Sequence, residues 1–122
     1  MTRQERRARF VGRRIRAAIK DGTFRLMSGY LAYVDGGECY GCAISAAAFA
    51  LSGAKIGGGE SCRSYAVKSG RMTVADAINL ESGYEGWHRT PNTYSDGKYT
   101  NMINERSAFY RLGRELRKER VS

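Results

Sequence analysis

Residues 38–53, ECYGCAISAAAFALSG, decide how the chain folds. Cys39 and Cys42 stand in a C-x-x-C spacing, and an almost wholly apolar, alanine-rich segment follows them. Alanine is the best helix former, and a helix that is apolar on nearly every side belongs in a core. We therefore predict a central buried helix over residues 40–52, with Gly53 as its C-terminal cap.

Three more helices are predicted from apolar residues that recur every three or four positions. They cover residues 3–20, 74–82 and 101–120. Asp21-Gly22 ends the first helix. Thr73 caps the second helix, with Asp76 completing a near capping box, and Gly83 ends it.

Short strands are predicted between the first helix and the central one. Phe24–Leu26 and Tyr30–Val34 have the alternation of strands and should pair as a hairpin around Ser28-Gly29. Residues 53–72 look irregular, and their run Gly57-Gly58-Gly59 is expected to be a connector, with an anion-binding nest as the alternative.

The expected fold is mainly α, of the α+β class: a single small domain of about four helices with a short β-hairpin and a central buried Ala-rich helix. Residues 1–20 form an Arg-rich helix packed on or extending from a compact domain of residues 21–122. The predicted core residues are Leu26, Val34, Ile44, Phe49, Leu51, Ile78, Leu80, Phe109, Leu112 and Leu116.

The net charge of +9 is concentrated at the two ends of the chain. Residues 1–20 carry eight basic residues and one acid, and residues 105–122 carry six basic residues and three acids. The remaining residues have a net charge of −1. Ordinary solvated faces mix both signs, so this segregation favours a polyanionic partner.

Arginine dominates both basic ends, and its guanidinium group binds phosphate in a bidentate manner. The candidate phosphate contacts are Arg6, Arg7, Arg13, Arg14, Arg16, Arg114, Arg117 and Lys118. Four aromatic residues are candidates for stacking on unpaired bases: Tyr84, Trp87, Tyr94 and Tyr99. The leading hypothesis is therefore a small non-catalytic protein that binds DNA, RNA or a nucleoprotein complex.

A metal or redox site is the chemical alternative. A Cys₃His zinc site would need four ligands, and the chain offers Cys39, Cys42, Cys62 and His88. The second pair of these residues, Cys62 and His88, lacks the close spacing of known zinc modules. The C-x-x-C spacing also fits a thiol redox motif, although the rest of a thioredoxin pattern is missing. Buried core cysteines are the simpler interpretation, so we expect no metal, no cofactor, no catalytic residue and no enzymatic activity.

Neither a secretory signal nor a membrane span is expected. The N-terminus has no apolar segment of the signal-peptide type, and the longest apolar run, residues 42–51, is too short to cross a bilayer. The expected location is the cytoplasm, with reduced thiols. The sequence does not indicate an oligomeric state.

Several segments resemble small uncharacterised proteins of bacteriophages. They are GTFRLMSGYL, CAISAAAFA, VADAINLESGYEGW and FYRLGRELR, within residues 20–118. The resemblance implies a phage accessory protein acting in the host cytoplasm, and it transfers no residue roles. It also supports a second hypothesis, in which the protein inhibits a host protein by docking on an acidic or nucleic-acid-binding surface.

Overall fold

The computed structural model describes residues 1–28, 33–35, 38–53, 59–88 and 101–120. Within these ranges the chain forms five helices and three strands. The helices are α1 (Arg3–Lys20), α2 (Ala43–Ser52), α3 (Gly59–Lys68), α4 (Val74–Glu85) and α5 (Ala108–Glu119), and the strands are β1 (Phe24–Leu26), β2 (Tyr33–Asp35) and β3 (Glu38–Gly41). The prediction of a mainly helical, single small domain is confirmed.

The predicted central helix is α2, and it is shorter than expected at its N-terminus. Cys42 is its N-cap, and Gly53 ends it in the left-handed conformation, with φ of 73°. All residues from Ala43 to Ala48 are buried. The helix does not begin at Tyr40, because residues 38–41 extend into β3 and their backbone groups pair in the sheet.

The small sheet has the strand order β1-β3-β2. Phe24 of β1 pairs with Cys39 in a parallel ladder, while Val34 of β2 pairs with Cys39 in an antiparallel ladder. The predicted hairpin of β1 with β2 is therefore wrong in its pairing, because β3 lies between the two strands. The predicted residues Tyr30 and Ala32 lie outside the described part of the chain.

Helix α1 belongs to the core. Its start is fixed by a capping box between Thr2 and Glu5, and Asp21 forms its C-cap. Val11 and Ile15 are fully buried in the same apolar cluster as α2 and α5. The Arg-rich first helix is thus packed on the domain, with its charged residues on the remaining faces.

Residues that were predicted to be irregular form the helix α3. Cys62 and Ala66, four positions apart, are buried and give this helix its apolar face. Of the predicted glycine connector, only Gly59 is within the described ranges, as the first residue of α3.

Helices α4 and α5 pack closely through glycines. A Cβ atom at Gly83 would overlap the carbonyl oxygen of Tyr110, and one at Gly113 would overlap that of Leu80. The capping box of Thr73 and Asp76 is confirmed. The prediction that Gly83 ends α4 is wrong, because the helix continues to Glu85 and Gly86 caps it.

The last helix begins later than predicted. Ser107 caps α5 through a hydrogen bond from the N–H of Phe109, whereas residues 101–106 are not helical. The Asn79 side chain donates to the carbonyl of Met102 and accepts from the N–H of Asn104. These bonds satisfy backbone groups of Met102 and Asn104, which precede α5 and are not helical.

Most predicted core residues are buried. They are Leu26, Ile44, Ile78, Leu80, Phe109, Leu112 and Leu116. Phe49 and Leu51 are only partly buried at the end of α2, and the side chain of Val34 lies outside the described part. None of the helices in the described ranges has both the length and the apolar character of a bilayer-spanning segment.

Candidate polyanion-binding groove between the first and last helices

Helix α1 presents a basic stripe beside its buried face. Residues at spacings of three and four positions lie on one side of a helix. In α1 this side carries Arg6, Arg9, Arg13, Arg16 and Lys20, and all five are exposed. The stripe exists because Val11 and Ile15 turn the opposite side of the helix into the core.

Helix α5 packs beside α1 with its apolar face inward. Leu112 and Leu116 are buried, and the Leu112 side chain lies 3.0 Å from where a Cβ atom of Gly12 would stand. The absence of a side chain at Gly12 lets the two helices approach. Arg111 precedes Leu112 and is exposed on the side of α5 that meets α1.

A groove of about 370 Å³ lies between these two helices. Four arginines line it: Arg9, Arg13 and Arg16 from α1, and Arg111 from α5. The apolar part of the lining consists of Met1, Ala8, Ala108 and Leu112, and two glutamates, Glu5 and Glu115, complete it. The volume falls within the range of small-ligand sites.

The acidic groups of the groove already have partners. Glu115 lies 3.4 Å from Arg16, which also pairs with Glu119 at 3.3 Å. Glu5 accepts the backbone N–H of Thr2 in the capping box, and this bond, with the Thr2 side chain, lowers the pKa of its carboxyl group. Both carboxylates are therefore engaged at the edge of the arginine cluster.

Three of the four arginines are not neutralised in this way. Within the described ranges, Arg9, Arg13 and Arg111 have no carboxylate at ion-pair distance. Three guanidinium groups from two helices thus face one groove without forming an ion pair in the described ranges, while Glu5 of the same groove interacts with Arg111 at longer range. This arrangement can bind phosphate or another polyanion by charge-assisted hydrogen bonds.

Two predicted phosphate contacts have roles within the fold. Arg7 forms an ion pair with the buried carboxylate of Asp76, 2.9 Å away, and Arg14 donates to the carbonyl of Ala50 at 3.2 Å. Arg7 therefore has a structural role in the fold, and its assignment as a phosphate contact stays a prediction. Arg6 is exposed on the basic stripe, next to the groove but not among its lining residues.

The predicted contacts on α5 lie outside the groove lining. Arg114, Arg117 and Lys118 are exposed. Arg114 lies over the ring of Tyr110, 5.8 Å from its centroid, and Arg117 lies against Gly86 at the end of α4. Of the predicted basic residues, the structure thus places Arg13 and Arg16 in the groove lining and Arg114, Arg117 and Lys118 on the exposed side of α5.

The predicted stacking residues differ in accessibility. Tyr84 is fully buried, donates its hydroxyl to the carbonyl of Met27, and has a pKa raised to about 12 by burial. It cannot stack on a base, which corrects that prediction. Trp87 is 43% exposed. Tyr94 and Tyr99 lie outside the described residues.

The cysteines are core residues. Cys39, Cys42 and Cys62 are free and buried, and the Ser45 hydroxyl contacts the sulfur atoms of Cys42 and Cys62 at 3.6 and 3.5 Å. Burial raises the pKa of both thiols. Since the thiolate is the nucleophile, this environment gives the redox alternative no support.

The zinc alternative also lacks a site. His88 is exposed and contacts Glu105 through Nδ1, whereas the three cysteines are buried. Among the described residues, no three His, Cys, Asp or Glu side chains are placed to hold a metal ion together. Cys42 is instead the buried N-cap residue of the core helix α2.

Sequence reasoning missed Arg9 and Arg111 as site residues. Arg9 shares one helix side with Arg13 and Arg16 at spacings of four and three, so periodicity alone could have identified it. Arg111 had no comparable signal, because only the packing of α5 on α1 brings it to the groove.

Comparisons with known proteins identify no relative. No protein-family model matches the chain, and no curated protein or solved structure is significantly similar to it. The resemblance of residues 20–118 to small bacteriophage proteins therefore stays a prediction.

Proposed function

We propose that the protein binds the sugar-phosphate backbone of a nucleic acid in the groove between α1 and α5, without carrying out a reaction on it. The observation that carries this proposal is the convergence of Arg9, Arg13 and Arg111, which have no carboxylate at ion-pair distance in the described ranges. A neighbouring phosphate chain would supply the missing counter-charges.

The chemistry of the groove favours phosphate over a single carboxylate. The guanidinium group has five donors in a planar fork that matches phosphate oxygens. Arginines spaced along α1 by four and three residues are about 6 and 4.5 Å apart along the helix axis. An extended polyanion with regularly repeated charges can contact several of them at once.

The distribution of charge supports the same partner. The two helices that form the groove come from the two basic ends of the chain, which carry net charges of +7 and +3, whereas the rest of the chain has −1. Folding therefore combines two separate basic segments into one surface. A surface of this kind raises the association rate with nucleic acids and gives binding without sequence choice.

Binding of labelled DNA and RNA oligonucleotides across a salt series tests the proposal. Counterion release predicts that the logarithm of the binding constant falls linearly with the logarithm of salt, with a slope of about −0.7 to −0.9 per phosphate neutralised. Three or four contacts thus predict a slope of about −2 to −4. Failure to bind any of these oligonucleotides at low salt would overturn it and favour an acidic protein as the partner.

A further inference from the structure

A second surface lies around Trp87, at the C-terminal end of α4. Trp87 follows Gly86, the left-handed C-cap of that helix, and its own N–H donates to the carbonyl of Ser82. Its carbonyl accepts the hydroxyl of Tyr110 at 2.8 Å. The backbone of this residue is thus held from both α4 and α5, while the residue as a whole is 43% exposed.

Basic side chains adjoin Trp87 from α5. Arg114 lies over the ring of Tyr110, the residue whose hydroxyl holds the Trp87 carbonyl. The guanidinium group of Arg117 lies so close to Gly86 that any side chain in place of this glycine would collide with it. A partly exposed tryptophan whose neighbours Gly86 and Tyr110 are each contacted by an arginine places an aromatic residue and guanidinium groups on one part of the surface, a combination that suits stacking and phosphate binding.

The outer face of α5 connects this corner with the groove. Arg111, Arg114 and Lys118 follow one another at spacings of three and four residues and are all exposed. They therefore form one ridge along the solvent side of the helix. Arg111 also lines the groove, so cationic side chains continue from α1 across α5 to the corner at Trp87.

We propose that this path binds a single-stranded nucleic acid, with Trp87 as the stacking residue for an unpaired base. The inference rests on the proposed function of the groove. A duplex keeps its bases stacked within itself, so it offers no free base face to Trp87. A single strand offers both a flexible phosphate chain for the ridge and bases for the indole.

The fluorescence of Trp87 tests the inference directly, because it is the only tryptophan of the chain. The probes are an oligothymidylate of about 12 nucleotides, within the size of single-strand sites, and a blunt duplex of the same length. We expect the single strand to quench the fluorescence in a saturable manner. The affinity obtained from this quenching should equal the affinity obtained from the fluorescence anisotropy of a labelled oligonucleotide. The duplex should leave the fluorescence unchanged.

Variants separate stacking from loss of structure. Trp87→Ala should weaken binding of the single strand about tenfold, while Trp87→Phe should retain most of it. Tyr65→Ala, which removes an aromatic residue of similar exposure (39%) from α3, is the control and should bind normally.

The outcomes distinguish this inference from the function on which it rests. Salt-dependent binding of the single strand with unchanged Trp87 fluorescence, and with equal affinity for Trp87→Ala, would overturn the inference and leave the groove proposal standing. Absence of binding to both probes at low salt would overturn both.

Discussion

Nε of Arg7 lies 2.9 Å from Oδ2 of Asp76, and this ion pair joins α1 to the first turn of α4. The Asp76 side chain is almost completely buried. Its carboxylate also accepts the N–H of Thr73 and a longer bond from the Gln4 amide. An arginine that the charge pattern assigns to an external phosphate thus neutralises a buried carboxylate of the fold.

Replacing Arg7 should destabilise the protein. Arg7→Ala leaves the buried Asp76 carboxylate without its charged partner, and we expect a loss of about 2 kcal/mol in the free energy of unfolding. Arg6→Ala removes an exposed arginine from the preceding position of the same helix, and its effect should stay within about 0.5 kcal/mol. Urea denaturation compares the two variants. Equal effects would show that the ion pair contributes nothing to stability.

The glycine contacts between α4 and α5 should be equally sensitive. In Gly113→Ala the new methyl group overlaps the carbonyl oxygen of Leu80, so the helices must separate. We expect a loss of about 3 kcal/mol, at the upper end of overpacking effects. Gly12→Ala is the control, since its methyl group meets the ends of two flexible side chains, Leu112 at 3.0 Å and Arg16 at 3.3 Å, rather than backbone. A thermal melt in which Gly113→Ala matches Gly12→Ala would contradict the close packing.

Glu81 has a buried carboxyl group whose charge is only partly compensated by a neighbouring cation. Within the described residues, its Oε2 atom accepts no hydrogen bond, and its charged neighbour is Nε of Arg63 at 3.5 Å. Burial raises the pKa of Glu81 from 4.5 to about 7, against the opposing effect of Arg63 and with a further increase from the negative charge of Glu85. The folded protein therefore keeps this proton over a range in which the unfolded chain releases it.

Stability should consequently fall as the pH rises from about 4.5 to about 7. Below this window both states are protonated, and above it the loss is complete, at about 3 kcal/mol by linkage. Glu81→Gln should remove this part of the pH dependence and be the more stable protein at pH 8. Glu115→Gln, a change at an exposed carboxylate, should keep it. Parallel pH profiles for wild type and Glu81→Gln would refute the assignment.

Local features of the fold could be predicted from the sequence. The Gly53 cap of α2 and the Thr73–Asp76 capping box depend on residues a few positions apart, and both are confirmed. The pairing of β1 with β3 could not be predicted from local alternation, because it joins Phe24 to Cys39 across the chain. The sequence also does not distinguish a glycine that ends a helix from one that, like Gly83, allows a neighbouring helix to pack closely.

The residues of the candidate site also divide into those that local periodicity identifies and those that only tertiary contacts identify. The basic stripe of α1 follows from periodicity, and Arg9 belongs to it by spacing alone. The roles of Arg7 and Arg111 depend on Asp76 and on the packing of α5, both distant in sequence. Charge composition thus indicates a polyanion site, whereas tertiary contacts decide which arginines remain available to it.

The groove residues should account for most of the salt dependence of binding. The triple variant Arg9→Gln, Arg13→Gln and Arg111→Gln removes three positive charges from the groove. The control variant Arg3→Gln, Lys68→Gln and Arg106→Gln removes three exposed charges that do not line it. Both variants have the same net charge, so a difference between them reports the position of the charges.

The most direct measurement is the slope of log binding constant against log salt for a labelled single strand with these two variants and wild type. If the groove binds the phosphate backbone, the slope of the groove variant becomes shallower by about 2, which corresponds to three lost phosphate contacts, while the control retains the wild-type slope. A groove variant with the wild-type slope, or equal losses in both variants, would contradict binding in the groove.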